Sequence, residues 1–194
     1  MQLSSDSMKK EGSINEIDTT APILDKQTAV GGEGGHPFDT GCNLSGVKAV
    51  RIVYGPPLSK KECVSAIKRI SFEFHSKIPV SLSNKPLSEF RWVPTAYVAF
   101  NMTTKVGDAT AEISSSDSGR IVRIDVWTDG TLVNALRFRF DSGEITETYG
   151  MPLSCEPTAS FEGKCPGSIL VGIHGRFSGV LDKLGFSFST AEKA

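Results

Sequence analysis

Asp182 lies in the stretch Gly172-Ile-His-Gly-Arg-Phe-Ser-Gly-Val-Leu-Asp-Lys-Leu-Gly-Phe-Ser-Phe188, between two apolar runs and close behind Gly179. An ionised carboxylate only accepts hydrogen bonds, and its two oxygens can take donors from two neighbouring hydroxyl groups at once. The same residue in a turn can instead bond local N–H groups and do nothing else. A second feature opens the ordered part of the chain: Gly31-Gly32-Glu33-Gly34-Gly35. Four glycines around one charge make either a hinge or a loop whose bare backbone lets N–H groups approach a ligand. No G-x-x-x-x-G-K-[ST] pattern follows, so a phosphate loop is not indicated.

Other chemistries find little support. In Gly175-Arg176-Phe177-Ser178-Gly179 the serine falls one place too late for a nucleophile elbow. His36, His75 and His174 share no ligand spacing with one another or with the cysteines, so no metal or other cofactor is expected. No acid/base pair or nucleophile constellation can be assembled from spacing, and the chain is not expected to be an enzyme. Cys42, Cys63, Cys155 and Cys165 form no C-x-x-C. They read as reduced structural thiols, although Cys155 and Cys165 bracket one loop closely enough to bridge it.

The 194 residues carry a net charge of −1, with 39% apolar and 22% charged side chains. That fits one globular domain with its own core. No basic block alternates with aromatics, which argues against nucleic acid. No apolar run approaches the roughly 20 residues that cross a bilayer, and the first residues lack the apolar centre of a signal peptide. A cytoplasmic location is the expectation. Asn43-Leu44-Ser45 and Asn101-Met102-Thr103 are glycosylation sequons and would suit a processed, secreted form instead.

The elements that must position the two loops read as strands. Residues 1–28 are polar and without apolar period, an expected disordered arm, and the folded domain is expected over 29–190. Val47 to Tyr54 is a β-branched run closed by Gly55-Pro56-Pro57. From Arg120 to Trp127, Val122, Ile124 and Val126 share one face, with Arg123 and Asp125 on the other. Asp129-Gly130 supplies a tight turn, after which Leu136, Phe138 and Phe140 point inward opposite Arg137 and Arg139. Asp141-Ser142-Gly143 turns the chain again before Ile145 to Tyr149, and Leu184, Phe186 and Phe188 form a last strand with Gly185 and Ser187 outward. VRIVYG…AIKRISFEF and VRIDVW…NALRFRF look like two copies of one hairpin, which suggests a pseudo-symmetric all-β body. The stretch from Ser76 to Gly119, with Pro79, Pro86 and Pro94, reads less clearly.

GGEGGHPFDTG, VKAVRIVYG, LRFRFDSGEITETYG and ILVGIHGRFSGVLDKLGFSF, in that order and spacing, resemble a jacalin-related lectin domain from about residue 30 to 189. The resemblance implies a β-prism I of three four-stranded Greek-key sheets with pseudo-threefold symmetry. It also implies carbohydrate binding, of mannose-type or galactose-type glycans, where the glycine-rich loop and a final G-x-x-x-D loop converge. By that analogy Asp182 accepts, Gly179 and Val180 present backbone N–H groups, and Gly35 and Gly34 donate from the first loop. Such sites are weak singly, so a homo-oligomer is expected. One departure stands out, because Ser178 occupies the place of the motif's first glycine. If that position needs a left-handed backbone, serine costs roughly 1 to 2 kcal/mol, unless Gly179 next door takes the conformation. The alternative reading is a protein-interaction module that keeps the prism and has lost sugar binding.

Overall fold

In a computed structural model, the structure describes residues 22–56, 65–75, 107–115 and 119–190. Among these the chain forms twelve strands: β1 (Leu24–Lys26), β2 (Val30–Gly31), β3 (His36–Asp39), β4 (Val47–Gly55), β5 (Ala66–Phe74), β6 (Ala109–Ser114), β7 (Ile121–Thr128), β8 (Val133–Phe140), β9 (Tyr149–Gly150), β10 (Ala159–Glu162), β11 (Ser168–Phe177) and β12 (Leu181–Thr190). They assemble into three sheets, ordered β1-β12-β11-β3 with β2 also on β12, β10-β7-β8-β9, and β5-β4-β6. The fold is a β-prism, with every pairing antiparallel. Cys63, the second sequon and the proline-containing middle from Ser76 lie outside the described residues, and Cys42, Cys155 and Cys165 are unpaired thiols.

Each sheet is built around one long hairpin. The two repeats visible in the sequence are β4–β5 and β7–β8, and β11–β12 is the third. Alternation sends one face of each hairpin inward. Ile52, Ile70 and Phe72 from one sheet therefore meet Ile124, Leu136 and Phe138 from the next and Leu184, Phe186 and Phe188 from the third, all fully buried. Phe161 packs edge-on against Phe186 with ring centroids 5.1 Å apart. The three sheets thus share a single core.

Four expectations need correction. A register irregularity between Ile121 and Arg123 turns Ile121 inward, leaving Val122 half-buried where strict alternation put it in the core. Gly185 and Ser187 are buried although they lie on the face opposite the core, and the His174 ring packs over Gly185. Ile145 makes only an isolated bridge to Arg139, so the strand expected from Ile145 shrinks to Tyr149–Gly150. Lastly, β1 falls inside the segment expected as an arm. It pairs Leu24 with Ser189 and Lys26 with Ser187, so pairing reaches further toward the N-terminus than Ala29.

Candidate functional site

The β11–β12 hairpin turns through residues 178–180. Gly179 carries the left-handed φ of +98°, and the Ser178 N–H closes the loop onto the Val180 carbonyl at 3.1 Å. Asp182 is the second residue of β12 and shares the face of Leu184, Phe186 and Phe188. It therefore points inward at the end of the strand, where the apolar core stops. Only 5% of it is exposed.

The glycine-rich loop covers that end. The Gly32 N–H donates to the Asp182 carbonyl at 2.8 Å, which pins the loop to β12. A Cβ at Gly34 would stand 2.6 Å from Asp182 Oδ1, and one at Gly35 would stand 2.7 Å from Oδ2 and 2.3 Å from the Phe177 backbone. Gly35 also has φ of +62°. Both positions need glycine, one for the close approach and the other for approach and conformation together. The Ser178 hydroxyl donates to the same carboxylate, lying 2.8 Å from Oδ2 and 3.0 Å from Oδ1. Among the described residues no cation pairs with Asp182.

The N–H groups of Gly34, Gly35, Gly179 and Val180 donate to no carbonyl or side chain among the described residues. All six residues singled out in the sequence, Gly34, Gly35, Ser178, Gly179, Val180 and Asp182, are thus brought to one end of the first sheet.

Arg176 is a member that sequence reasoning missed. Its Nε and Nη2 donate to the carbonyls of Gly34 and Gly35 at 2.7 and 2.8 Å. Among the described residues no peptide bond is cis, so in the planar peptide joining Gly34 to Gly35 the N–H points opposite to the carbonyl. Arg176, by holding the Gly34 carbonyl, aims the Gly35 N–H away from itself. The contact depends on β3 pairing with β11, a long-range register that local pattern does not reveal. Lys183 adds a tether through its ion pair with Glu33, which holds the Glu33 carboxyl below its ordinary range.

The outer face of the same sheet carries a shallow groove of about 460 Å³, floored by His174 and flanked by Lys26, Asp39 and Lys183. Asp182 does not line it. Burial pushes the His174 imidazole below its ordinary pKa, and Lys26 adds to that shift. Hydrogen bonding from Lys26 holds Asp39 low.

Comparison with known proteins bears on the fold around this arrangement. The chain is 27% identical over 180 residues to jacalin-related lectin 10 of Arabidopsis thaliana, covering 91% of this chain. It is 28% identical over 174 residues to jacalin-related lectin 20 of the same plant, covering 87% of this chain. The chain is similar to jacalin-related lectins. It spans about half (49%) of the first relative's length and 33% of the second's. Among solved structures, a mannose-specific jacalin-related lectin from Morus nigra in complex with mannose superposes with a TM-score of 0.58 at 19% identity, covering 89% of this chain and 97% of that one. Single-chain recombinant jacalin matches with a TM-score of 0.56 at 17% identity, over 90% of this chain and 98% of that one. No protein-family model matches the chain. The jacalin-like β-prism is therefore shared at low identity, and the relatives matched by sequence are lectins by name.

Proposed function

We propose that this jacalin-related chain is a non-enzymatic lectin that binds mannose-type or galactose-type glycans at the Gly34, Gly35 and Asp182 end of the prism. The observation that carries this reading is a buried carboxylate with no cationic partner among the described residues, closely approached by two glycines, at loops whose Gly34, Gly35, Gly179 and Val180 N–H groups donate to nothing described. Adjacent sugar hydroxyls are donors and acceptors together. They can give protons to both Asp182 oxygens while their own oxygens receive the Gly35, Gly179 and Val180 N–H groups. The names of the structural neighbours support the same ligand class, since one was solved with mannose and another, artocarpin, with mannotriose.

A single shallow site of this kind starts near a millimolar dissociation constant, about −4 kcal/mol. Useful binding then needs several sites held together, and a dimer or larger assembly belongs to the proposal. The second reading, a protein-interaction module without sugar binding, is favoured by one observation, the Ser178 hydroxyl seated on the carboxylate. A glycan array probed with the wild type and with Asp182→Ala decides between them. Glycan binding that disappears in a folded Asp182→Ala protein supports the lectin. Binding retained in the variant removes Asp182 from the site, and a protein partner captured irrespective of competing free sugar supports the second reading.

A further inference from the structure

Ser178 is a polar side chain in direct contact with the acceptor of the proposed site, and its role there differs from that of the surrounding backbone. Its Oγ lies within 3.0 Å of both Asp182 oxygens. The glycine loop crowds the same carboxylate, and even a Cβ at Gly34 or Gly35 would come within 2.7 Å of an oxygen. A ligand hydroxyl that bonds to both oxygens must stand about where Ser178 Oγ stands now. The left-handed residue of the loop is Gly179, with φ of +98°, so the serine's contribution here is its hydroxyl.

We infer that Ser178 is a built-in competitor: its hydroxyl occupies the sugar-hydroxyl position on Asp182 and must swing away before a glycan can bind. The inference rests on the lectin reading above. A buried carboxylate without a cation needs a hydrogen-bond donor in the empty site, and Ser178 supplies it. Binding then exchanges one donor for another at that position, so only the additional hydrogen bonds of a second ligand hydroxyl and of the loop N–H groups give net affinity. Ligands offering two adjacent hydroxyls can outcompete the serine. A lone hydroxyl gains nothing over it.

The test combines calorimetric titration with methyl α-mannoside and methyl α-galactoside and thermal melting, on the 194-residue wild type, Ser178→Ala and Ser178→Gly. A hydrogen bond to a charged group corresponds to about tenfold or more in an equilibrium constant. Both variants should therefore bind the preferred sugar about tenfold tighter than the wild type. They should also melt a few degrees lower without sugar, because the carboxylate loses its resident donor. Opposite signs in the two measurements are what a merely structural serine would not produce. A wild type that fails to bind while a variant binds supports the inference equally. Wild type and both variants binding alike, or variants binding more weakly, overturns the competitor role and leaves the lectin reading standing. No binding of either sugar by any of the three proteins overturns both.

Discussion

Asp182 and Asp125 are buried to the same degree, 5% and 4% exposed, yet they have opposite surroundings. Asp125, on β7, receives hydrogen bonds from Ser160 at 2.7 Å, Arg123 at 2.9 Å and Arg137 at 2.7 Å, and Arg137 lies over the Trp127 ring. Burial alone would raise its pKa, but those three donors outweigh it and hold the carboxyl below the ordinary value of 3.8. Its charge is matched and its acceptor sites are filled by fixed side chains. Asp182 has one hydroxyl, two closely approaching glycines and no described cation. The contrast teaches that burial of a carboxylate does not by itself mark a site. What distinguishes a ligand acceptor is that its partners can be exchanged, and a serine rotamer exchanges where two guanidinium groups do not.

The largest effect expected from this contrast is at Asp125. Asp125→Ala leaves two arginines facing each other, and should destabilise by about 3–5 kcal/mol, seen as a lower denaturant midpoint. Sugar binding by the folded fraction should be retained. Next comes Gly35→Ala, which places a Cβ 2.3 Å from the Phe177 backbone at a φ of +62°. The conformation alone costs roughly 1–2 kcal/mol. Loss of glycan binding on the array should accompany the fall in stability. Asp182→Ala should cost only about 1 kcal/mol, the scale of one hydrogen bond, while abolishing binding. A larger stability loss there than at Asp125 would break the comparison.

Acid should affect the two regions differently. A carboxyl with a depressed folded pKa contributes stability that is present above its unfolded pKa and is lost as pH falls through the folded one. The Asp125 contribution should therefore be constant at neutral pH and disappear below about pH 4, the unfolded carboxylate range. Urea midpoints followed with pH should fall less steeply on the acid side for Asp125→Asn than for the wild type. Smallest of all is Lys26→Ala. Lys26 and Asp39 are half exposed, at 51% and 49%, so removing their 2.6 Å ion pair should leave the urea midpoint almost unchanged.

The glycine spacing and the closing hairpin drew attention to Asp182, Gly34 and Gly35 as local signals, and the two repeated hairpins suggested a pseudo-symmetric all-β body; the prism and the pairing of the two loops came from the resemblance to jacalin-related lectins. The sequence-level reading did not reach Arg176, whose contact with the glycine loop exists only once β3 lies beside β11. Nor did it foresee that Ser178 would bond to Asp182, since that depends on a side-chain rotamer; only the question of backbone strain was visible, and Gly179 answers it. Ser187 and Gly185 were misjudged for a topological reason. They are small residues whose outer face is covered by larger side chains brought together by the sheet, as the His174 ring lies over Gly185. The short pairing of β1 was hidden in a polar segment in which three residues show no period.

The most direct measurement of the central claim is an amide NMR titration of the wild type with methyl α-mannoside, repeated with methyl α-galactoside, carried to about 10 mM and above to match a weak single site. The account predicts saturable shifts at Gly34, Gly35, Gly179 and Val180, still amides around Asp125, and no such shifts in Asp182→Ala. Shifts that gather elsewhere, or that persist unchanged in Asp182→Ala, would contradict it.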